Sequence, residues 1–263
     1  MKTLSDTFKS FVMIGTGNLS FHLCTALVKK GFRLKQVAGR TKQNTSALAA
    51  KFKAPFTTDL KKIVEDADYY FVCVSDDAIK KTASHLKIKN GIVIHCSGSV
   101  SISELKNSSE NYGVFYPLYT FSKNDTIDFK QIPLFVEGNN SATKREIFSF
   151  AKKLSTKVLE INSAKREKLH LAAVMSANFS NFLFTLSAEF LEKEKAGTMD
   201  LLLPLIQKTT EKLKTSTSLA AQTGPARRKD KKVIDRHKEL LKKYPEHKKI
   251  YKLLTSGIIK RYK

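Results

Sequence analysis

The feature that most constrains the fold is a glycine turn placed between a short apolar run and the start of a helix. The apolar run occupies residues 11–14, and a stretch of helical character continues to Lys30. A buried strand, a glycine turn and a helix start in this order predict a binding site for a phosphate diester, because the free N–H groups of the helix point at the anion. The residues that we expect to bind it are Gly15, Thr16, Gly17, Asn18 and Leu19.

The small residues of this turn have separate roles in the pattern. Gly15 allows the tight turn, and Gly17 has no side chain to hold the backbone away from a pyrophosphate. The third position of the G-x-G-x-x-G pattern is Ser20, where glycine or alanine is usual. Serine is small enough for close packing of the helix on the strand, so the match is imperfect but physically consistent.

The second predicted strand ends at a basic residue. Residues 34–38 are followed by Gly39, Arg40 and Thr41. An acidic residue here, about 20 positions past the glycines, would bind the ribose 2′-hydroxyl of NAD. A guanidinium instead holds a 2′-phosphate through charge-assisted hydrogen bonds. We therefore predict NADP(H), bound in part by Arg40 and Thr41. The alternative is that Arg40 is a solvated charge at the start of a loop.

Predicted strands and helices alternate along the chain as far as residue 160. The segment 69–74, with sequence YYFVCV, is typical of a strand that is covered on both faces of a sheet. The alternation predicts an α/β fold class with a doubly wound, mostly parallel Rossmann sheet. The predicted strands cover residues 11–14, 34–38, 69–74, 92–95, 112–116, 133–137 and 157–161, and the predicted helices cover residues 19–30, 44–52, 59–66, 78–86 and 141–154.

After residue 162 the pattern changes to helices alone. Residues 164–196 contain neither Pro nor Gly and carry apolar side chains at helical spacings, which predicts one unusually long helix. We therefore predict two domains: an NADP-binding Rossmann domain over residues 1–162 and an all-helical C-terminal domain over residues 163–263. The remaining predicted helices cover residues 199–214, 230–243 and 246–260.

The composition limits the classes of partner. The net charge is +23, but the excess comes from 39 lysines against 8 arginines, spread over the whole chain. Proteins that bind nucleic acid specifically use clustered arginines, whereas the positive charge here is mostly dispersed lysine. We therefore predict no specific nucleic-acid partner and only electrostatic steering of anionic ligands. No apolar run approaches the roughly 18 residues of a membrane helix, and no secretory signal is visible, so we expect no membrane association.

The cysteines indicate the compartment. Cys24, Cys73 and Cys96 all lie in predicted helices or strands. Their odd number and the lack of metal-ligand spacing predict reduced, buried thiols in a cytoplasmic protein and no metal site.

Polar residues follow three predicted strands at their carboxyl ends, where a doubly wound sheet binds its ligands. Ser75 and Asp76 are expected near the cofactor. His95 is the predicted proton donor, because an imidazole titrates near neutral pH, and Ser97 could orient a substrate oxygen. A backbone-bonded His95 and a simple loop at Ser97 remain the alternatives. Tyr116 could also donate a proton, although a phenol with a pKa of about 10 is a different acid.

Seven segments between residues 12 and 230 resemble one family. These segments are VMIGTGNLS, VAGRT, VCVSDDAI, IHCSGSVS, FYPLYTF, HLAAVMSANF and TGPARRKD. The chain is similar to the Rossmann-like proteins with an uncharacterised helical C-terminal domain, within the 6-phosphogluconate-dehydrogenase-like superfamily. Relatives in that superfamily include pyrroline-5-carboxylate reductase, ketopantoate reductase and the deazaflavin-dependent NADP reductases. The resemblance implies a bound dinucleotide, a homodimer through the long helices and a cleft between the two domains.

The resemblance also directs attention to residues of the helical half. His170 and Asn178 lie on the predicted long helix and could line one groove, or could be ordinary packing residues. The lysine of the superfamily's dehydrogenases falls at Val174, and related sequences often have His at the position of Tyr116, so both positions depart from the pattern. Thr223 and Arg227 are expected to bind substrate, the alternative being a turn with solvated arginines.

These observations predict an NADP(H)-binding oxidoreductase that reduces a small carbonyl or imine compound in the interdomain cleft. The alternative is a dinucleotide-dependent sensor or regulatory protein, in which the cleft binds but does not turn over. A third hypothesis, a basic nucleic-acid-binding protein, predicts a steep dependence of binding on salt.

Overall fold

The computed structural model describes residues 9–262, and its central element is one eight-stranded sheet. The order of strands across the sheet is β3-β2-β1-β4-β5-β6-β7-β8. The first six positions reproduce the strand order of a doubly wound dinucleotide fold. The strands are β1 (Ser10–Ile14), β2 (Arg33–Ala38), β3 (Phe56–Thr57), β4 (Tyr69–Val72), β5 (Ile88–His95), β6 (Ser109–Pro117), β7 (Leu134–Gly138) and β8 (Val158–Glu160).

The strand directions bring the predicted site segments to one edge. Strands β1 to β6 are mutually parallel, whereas β7 runs antiparallel to β6 and β8 runs parallel to β7. Ile14 is paired with both Ala38 and Val72, and Val72 is in turn paired with His95. The carboxyl ends of these strands therefore lie level with one another, and the predicted mostly parallel sheet is confirmed.

Helices cover both faces of the sheet. Phe11 and Met13 belong to one apolar cluster and Val12 and Ile14 to another, because successive side chains of a strand point to opposite faces. All four side chains are at most 1% exposed. The helices of this part of the chain are α1 (Asn18–Lys29), α2 (Lys42–Lys51), α3 (Asp76–His85), α4 (Ser141–Lys152) and α5 (Ser163–Ala173).

One predicted helix, over residues 59–66, is wrong. The structure has a single 3₁₀ turn there, Leu60–Lys62, after which the backbone is extended at Ile63. The buried side chain of Gln36 takes the hydrogen bonds that a helix would have used: its Nε2 donates to the Lys62 carbonyl, and its Oε1 accepts from the Val64 N–H, both at 3.0 Å. A single glutamine on β2 thus fixes this segment as an irregular connection.

The long helix is present but not uniform. It runs over Ser163–Lys193, with a π-helical turn at Val174–Asn178 between α5 and α6 (Phe179–Lys193). The chain divides into two compact units between Met175 and Ser176, within that turn. This division lies later than the predicted start of the helical domain at residue 163, because the first turns of α5 bond to the sheet.

The second unit consists of helices alone. Apart from α6 they are α7 (Leu203–Lys212), α8 (Ser218–Ala221), α9 (Lys231–Leu240) and α10 (Pro245–Arg261). The Phe190 and Tyr244 rings pack edge to face at 5.5 Å, and the His247 ring bonds to the Leu186 carbonyl at 3.1 Å. Asp230 caps the start of α9, since its carboxylate accepts from the Val233 N–H.

Candidate active site

The glycine turn after β1 has the geometry that the sequence predicts. Gly15 has φ +123°, a conformation that residues with a side chain rarely adopt. A Cβ atom at this position would lie 2.1 Å from the carbonyl oxygen of Cys73, so only glycine fits. Around Gly17, in contrast, no atom lies within 4 Å of a built Cβ. The first glycine therefore shapes the turn, and the second keeps its outer surface open.

Helix α1 begins directly at the open glycine. Gly17 occupies the N-cap position and makes no side-chain cap, so the first N–H groups of α1, starting at Asn18, are available to an anion. Ser20, at the third position of the pattern, is completely buried, and its hydroxyl lies 3.5 Å from the Cys73 carbonyl. The serine is thus accommodated in the close contact between helix and strand. The side-chain amide of Asn18, the first residue of α1, donates to the Phe121 carbonyl at 2.7 Å.

The basic loop after β2 lies beside the glycine turn. A Cβ atom on Gly39 would be 3.0 Å from the methyl group of Thr16, so the two loops are in contact. Arg40 and Thr41 are exposed, and Thr41 is the N-cap of α2 without a side-chain cap bond. Within residues 9–262 no ion pair to Arg40 is found. A free guanidinium and an uncapped helix start therefore lie together next to the turn.

The loops after β4 and β5 are joined by a hydrogen bond. The Ser99 hydroxyl donates to the Asp76 carboxylate at 2.5 Å. Ser75 is the N-cap of α3, but its side chain makes no cap bond. Ser97 Oγ accepts from the N–H groups of Ser99 and Val100, at 3.1 and 3.0 Å. The structure thus uses Ser97 to shape its loop, and a role in orienting substrate stays a prediction.

His95 differs from what a proton donor requires. Its ring is fully buried, and its Nδ1 accepts from the Ser97 N–H at 3.2 Å. Burial, and secondarily the charge of Arg166, lowers the pKa of His95 to about 3. A group with this pKa is neutral and holds no exchangeable extra proton near pH 7. The geometry therefore supports the backbone-bonded alternative for His95.

Tyr116 and His170 form a pair that the sequence could not connect. Their OH and Nδ1 atoms share a hydrogen bond of 3.0 Å, and their rings meet edge to face at 5.9 Å. Gly98 packs on both, since a Cβ atom there would be 2.6 Å from His170 Nδ1 and 2.8 Å from Tyr116 Cζ. Burial raises the pKa of Tyr116, so the phenol keeps its proton. His170 remains partly exposed.

A buried ion pair holds this arrangement in place and was missed at the sequence level. Arg166, completely buried on α5, donates to the Glu137 carboxylate at the end of β7 and to the Val100 carbonyl. The Ser163 N–H and hydroxyl also donate to Glu137, at 3.0 and 2.8 Å. Ile102 N–H donates to the Ser163 hydroxyl at 3.0 Å. These contacts fasten the loop after β5 to the first turns of α5, one turn before His170.

Three further predicted site residues belong to the second unit. Asn178 is exposed at the end of the π-helical turn. Thr223 is also exposed, next to Gly224 with φ +100°. Arg227 donates to the Gln222 carbonyl at 2.5 Å and stacks over the Tyr262 ring at 5.3 Å. Its guanidinium is thus engaged within its own unit, and the substrate roles of Thr223 and Arg227 stay predictions.

The long helix exposes a stripe of large apolar side chains. Leu171, Met175, Phe179 and Phe182 recur at spacings of four and three, and each is at least 44% exposed. By length and composition the helix Ser163–Lys193 is apolar enough to cross a membrane, because an 18-residue window of it has a mean hydropathy of 1.3. That property alone is weak support for a membrane span, since a helix covered by another protein surface has it too. Among residues 9–262 no cluster of three metal-ligating side chains occurs.

Two family profiles match the chain in sequence. Residues 10–98 match the NADP oxidoreductase, coenzyme F420-dependent family, and residues 132–258 match a domain of unknown function, DUF2520. A search of the curated proteins gave no match. The first match covers the glycine turn and the loops after β2 and β4. The second runs from the last strands through most of the helical unit.

Solved structures resemble the whole chain. A candidate NADP oxidoreductase from Bacteroides fragilis is 37% identical, with a TM-score of 0.90 over 96% of this chain and 98% of its own. A reductive aminase from Aspergillus terreus, in complex with NADPH and ethyl-5-oxohexanoate, is 16% identical, with a TM-score of 0.70 over 98% and 100%. A 1-pyrroline-5-carboxylate reductase from Streptococcus pyogenes is 14% identical, with a TM-score of 0.63 over 96% and 98%. The last two show a shared fold. The chain belongs to the family of the Bacteroides fragilis protein, in which a Rossmann domain of the NADP-oxidoreductase type precedes a DUF2520 domain.

Proposed function

We propose that this protein is an NADP(H)-dependent oxidoreductase that reduces a small carbonyl or imine compound. The observation that carries the proposal is the glycine turn, where Gly15 alone fits the backbone and Gly17 leaves the helix start open. The predicted cofactor agrees with the family of the chain and with the NADPH bound to the Aspergillus reductive aminase. That enzyme's name also supports reduction at a carbonyl or imine carbon.

Each part of the cofactor would be held by a different segment of the sheet edge. The helix start after Gly17 would hold the pyrophosphate, and Arg40 with Thr41 would hold the 2′-phosphate beside it. Asp76 and Ser99 lie on loops nearer to the middle of the sheet, toward the expected nicotinamide position. The bound cofactor would supply a hydride.

We further propose that His170 supplies the proton of the reduction and that Tyr116 holds its ring. His170 is partly exposed, whereas His95 is buried, with a pKa of about 3. The Tyr116 hydroxyl occupies Nδ1, so Nε2 is the ring nitrogen that would meet a substrate. Histidine is the side chain that most often passes a proton to a reacting group, and Nε2 of His170 would deliver it to a substrate oxygen or nitrogen.

Cofactor binding is tested by titration with NADPH and NADH, followed by fluorescence. Arg40→Asp should weaken NADPH binding roughly a hundredfold and leave NADH binding almost unchanged, because a bidentate charged contact contributes about 2–4 kcal/mol. Arg33→Asp, the same change of charge at the other end of β2, is the matched control and should leave both affinities unchanged. Absence of saturable NADPH binding in the unaltered protein would contradict the proposal.

Catalysis is tested by following NADPH oxidation with a panel of small carbonyl and imine compounds. Turnover with at least one of them is the expected result. Saturable NADPH binding without turnover across the panel would instead favour the sensor or regulatory alternative. The buried, neutral His95 keeps that alternative open, since one of the predicted acids is not available.

We also propose that two copies of the chain associate through the apolar stripe of the long helix. The four side chains of the stripe are largely exposed in the single chain, and a soluble monomer rarely leaves such a patch uncovered. Light scattering should give twice the 29.6 kDa mass of the chain. A Phe179→Glu, Phe182→Glu double variant should be monomeric, while Leu159→Glu, at an exposed apolar residue of β8, should remain dimeric.

A further inference from the structure

Two cysteine thiols lie side by side at the carboxyl ends of neighbouring strands. The Sγ atoms of Cys73 and Cys96 are 3.3 Å apart. The two cysteines directly follow Val72 and His95, which are paired in the parallel strands β4 and β5. Such strands are about 4.8 Å apart, and disulfide-linked residues have Cα atoms roughly 4.4–6.8 Å apart. The usual spacing of paired strands therefore lies within the range of a disulfide.

The two thiols differ in accessibility. Cys73 is partly exposed, whereas Cys96 is buried. Burial raises the pKa of the Cys96 thiol, which makes it a poor first nucleophile. Burial likewise raises the pKa of Cys24, the third thiol, on α1. A small oxidant in solution would therefore meet Cys73 first and find Cys96 in position to react second.

We propose that Cys73 and Cys96 form a reversible disulfide in the presence of a hydroperoxide, and that this disulfide weakens cofactor binding at the glycine turn. The second half of this inference rests on the proposed function. The first half, a site of oxidative modification, does not depend on it.

The chemistry takes place in two steps. The Cys73 thiolate attacks one peroxide oxygen, an S–O bond forms as the O–O bond breaks, and the departing hydroxide takes up the thiol proton as water. Cys96 sulfur then attacks Cys73 sulfur, the S–S bond forms as the S–O bond breaks, and a second water leaves with the Cys96 proton. The thiol pair loses two electrons, and the hydroperoxide is reduced. A dithiol in solution reverses the change by thiol–disulfide exchange.

Cys73 is connected to the glycine turn through its backbone. Its N–H donates to the Ile14 carbonyl at 2.7 Å, and its carbonyl oxygen occupies the space beside Gly15 that a Cβ atom would need. The buried Ser20 hydroxyl lies 3.5 Å from the same oxygen. A disulfide requires an S–S distance of about 2.05 Å, so the two sulfurs must approach by more than an ångström. Movement of Cys73 is then transmitted to the turn and to the first residues of α1.

Peptide mapping tests the modification itself. The protein is treated with a small excess of hydrogen peroxide, blocked with N-ethylmaleimide and digested with trypsin without reduction. We expect peptides 63–80 and 90–106 to be joined, and dithiothreitol to release them. In Cys96→Ser, Cys73 should stop at the sulfenic acid and become labelled by dimedone, whereas Cys24→Ser should behave as the unaltered protein. A Cys24–Cys73 link, or a Cys96 that stays fully alkylatable after unfolding, would overturn the assignment.

NADPH titration of the same samples tests the coupling. Peroxide should weaken NADPH binding at least fivefold in the unaltered protein, and dithiothreitol should restore it. Treated Cys96→Ser should keep the affinity of the untreated variant. If the link forms and the affinity does not change, the regulatory half is wrong. If the reduced protein binds no NADPH while the link still forms, the proposed function fails and the modification site stands.

Discussion

The glycine turn and the Tyr116–His170 pair lie at the same edge of the sheet but are built in different ways. The turn consists of backbone groups contributed by six consecutive residues, Gly15 to Ser20. The pair joins side chains 54 residues apart, on β6 and α5. A site made of local backbone can be recognised from its pattern in the sequence. A site made of distant side chains depends on the folded sheet and on buried contacts elsewhere.

The largest expected effect separates the two glycines of the turn. Gly15→Ala should cost about 3–5 kcal/mol of unfolding free energy, because it combines strain at positive φ with a clash against Cys73. Gly17→Ala should cost only about 1 kcal/mol, yet weaken NADPH binding, because its methyl group faces the pyrophosphate position. Urea unfolding and NADPH titration measure the two quantities. Equal losses of stability would contradict the distinct roles assigned to the glycines.

A second pair of substitutions tests the Tyr116–His170 pair alone. His170→Ala should lower kcat for NADPH oxidation about 100- to 1,000-fold, a cost of ~3–4 kcal/mol, while NADPH affinity stays within twofold. Tyr116→Phe keeps the ring and removes the hydrogen bond to Nδ1, so it should lower kcat about tenfold. Steady-state kinetics and titration give both numbers. If His170→Ala turns over normally, the proton has another source.

The buried His95 predicts a pH dependence of stability. Its pKa is about 3 in the folded protein and about 6.5 in an unfolded chain. Between pH 6.5 and pH 3 the imidazole is protonated in the unfolded state but not in the folded state. The contribution of His95 to the unfolding free energy is therefore complete above pH 6.5 and is lost as the pH falls toward 3. From this residue the loss at pH 5 should be about 2 kcal/mol relative to pH 7.5. Urea unfolding of His95→Gln and of the unaltered protein at both pH values measures the contribution of His95. If both proteins lose the same unfolding free energy between pH 7.5 and pH 5, His95 is not the cause of the pH dependence.

The smallest effect concerns the imperfect position of the glycine pattern. Ser20→Ala removes a hydroxyl that lies 3.5 Å from the Cys73 carbonyl, a long and weak contact. Stability should change by less than about 1 kcal/mol, and NADPH affinity by less than twofold. The same two titrations suffice. A large loss of affinity would mean that Ser20 contributes directly to the cofactor site.

What the sequence predicts differs in the same way between local features and contacts of distant side chains. The alternation of strands and helices, the glycine turn and the basic loop after β2 follow from local pattern, because each is encoded by consecutive residues. The burial of His95 and the Arg166–Glu137 pair do not, because they depend on packing between α5 and strands that are distant in sequence. The helix predicted over residues 59–66 failed for the same reason. Gln36, on another strand, decides the conformation of that segment.

A crystal structure of the protein grown with excess NADPH is the decisive test of how the cofactor binds. We expect pyrophosphate oxygens on the N–H groups that follow Gly17, the 2′-phosphate on Arg40, and the nicotinamide ring on the side of the sheet edge where His170 and Tyr116 lie. Density for the cofactor elsewhere, or a glycine turn left empty at saturating NADPH, would contradict it.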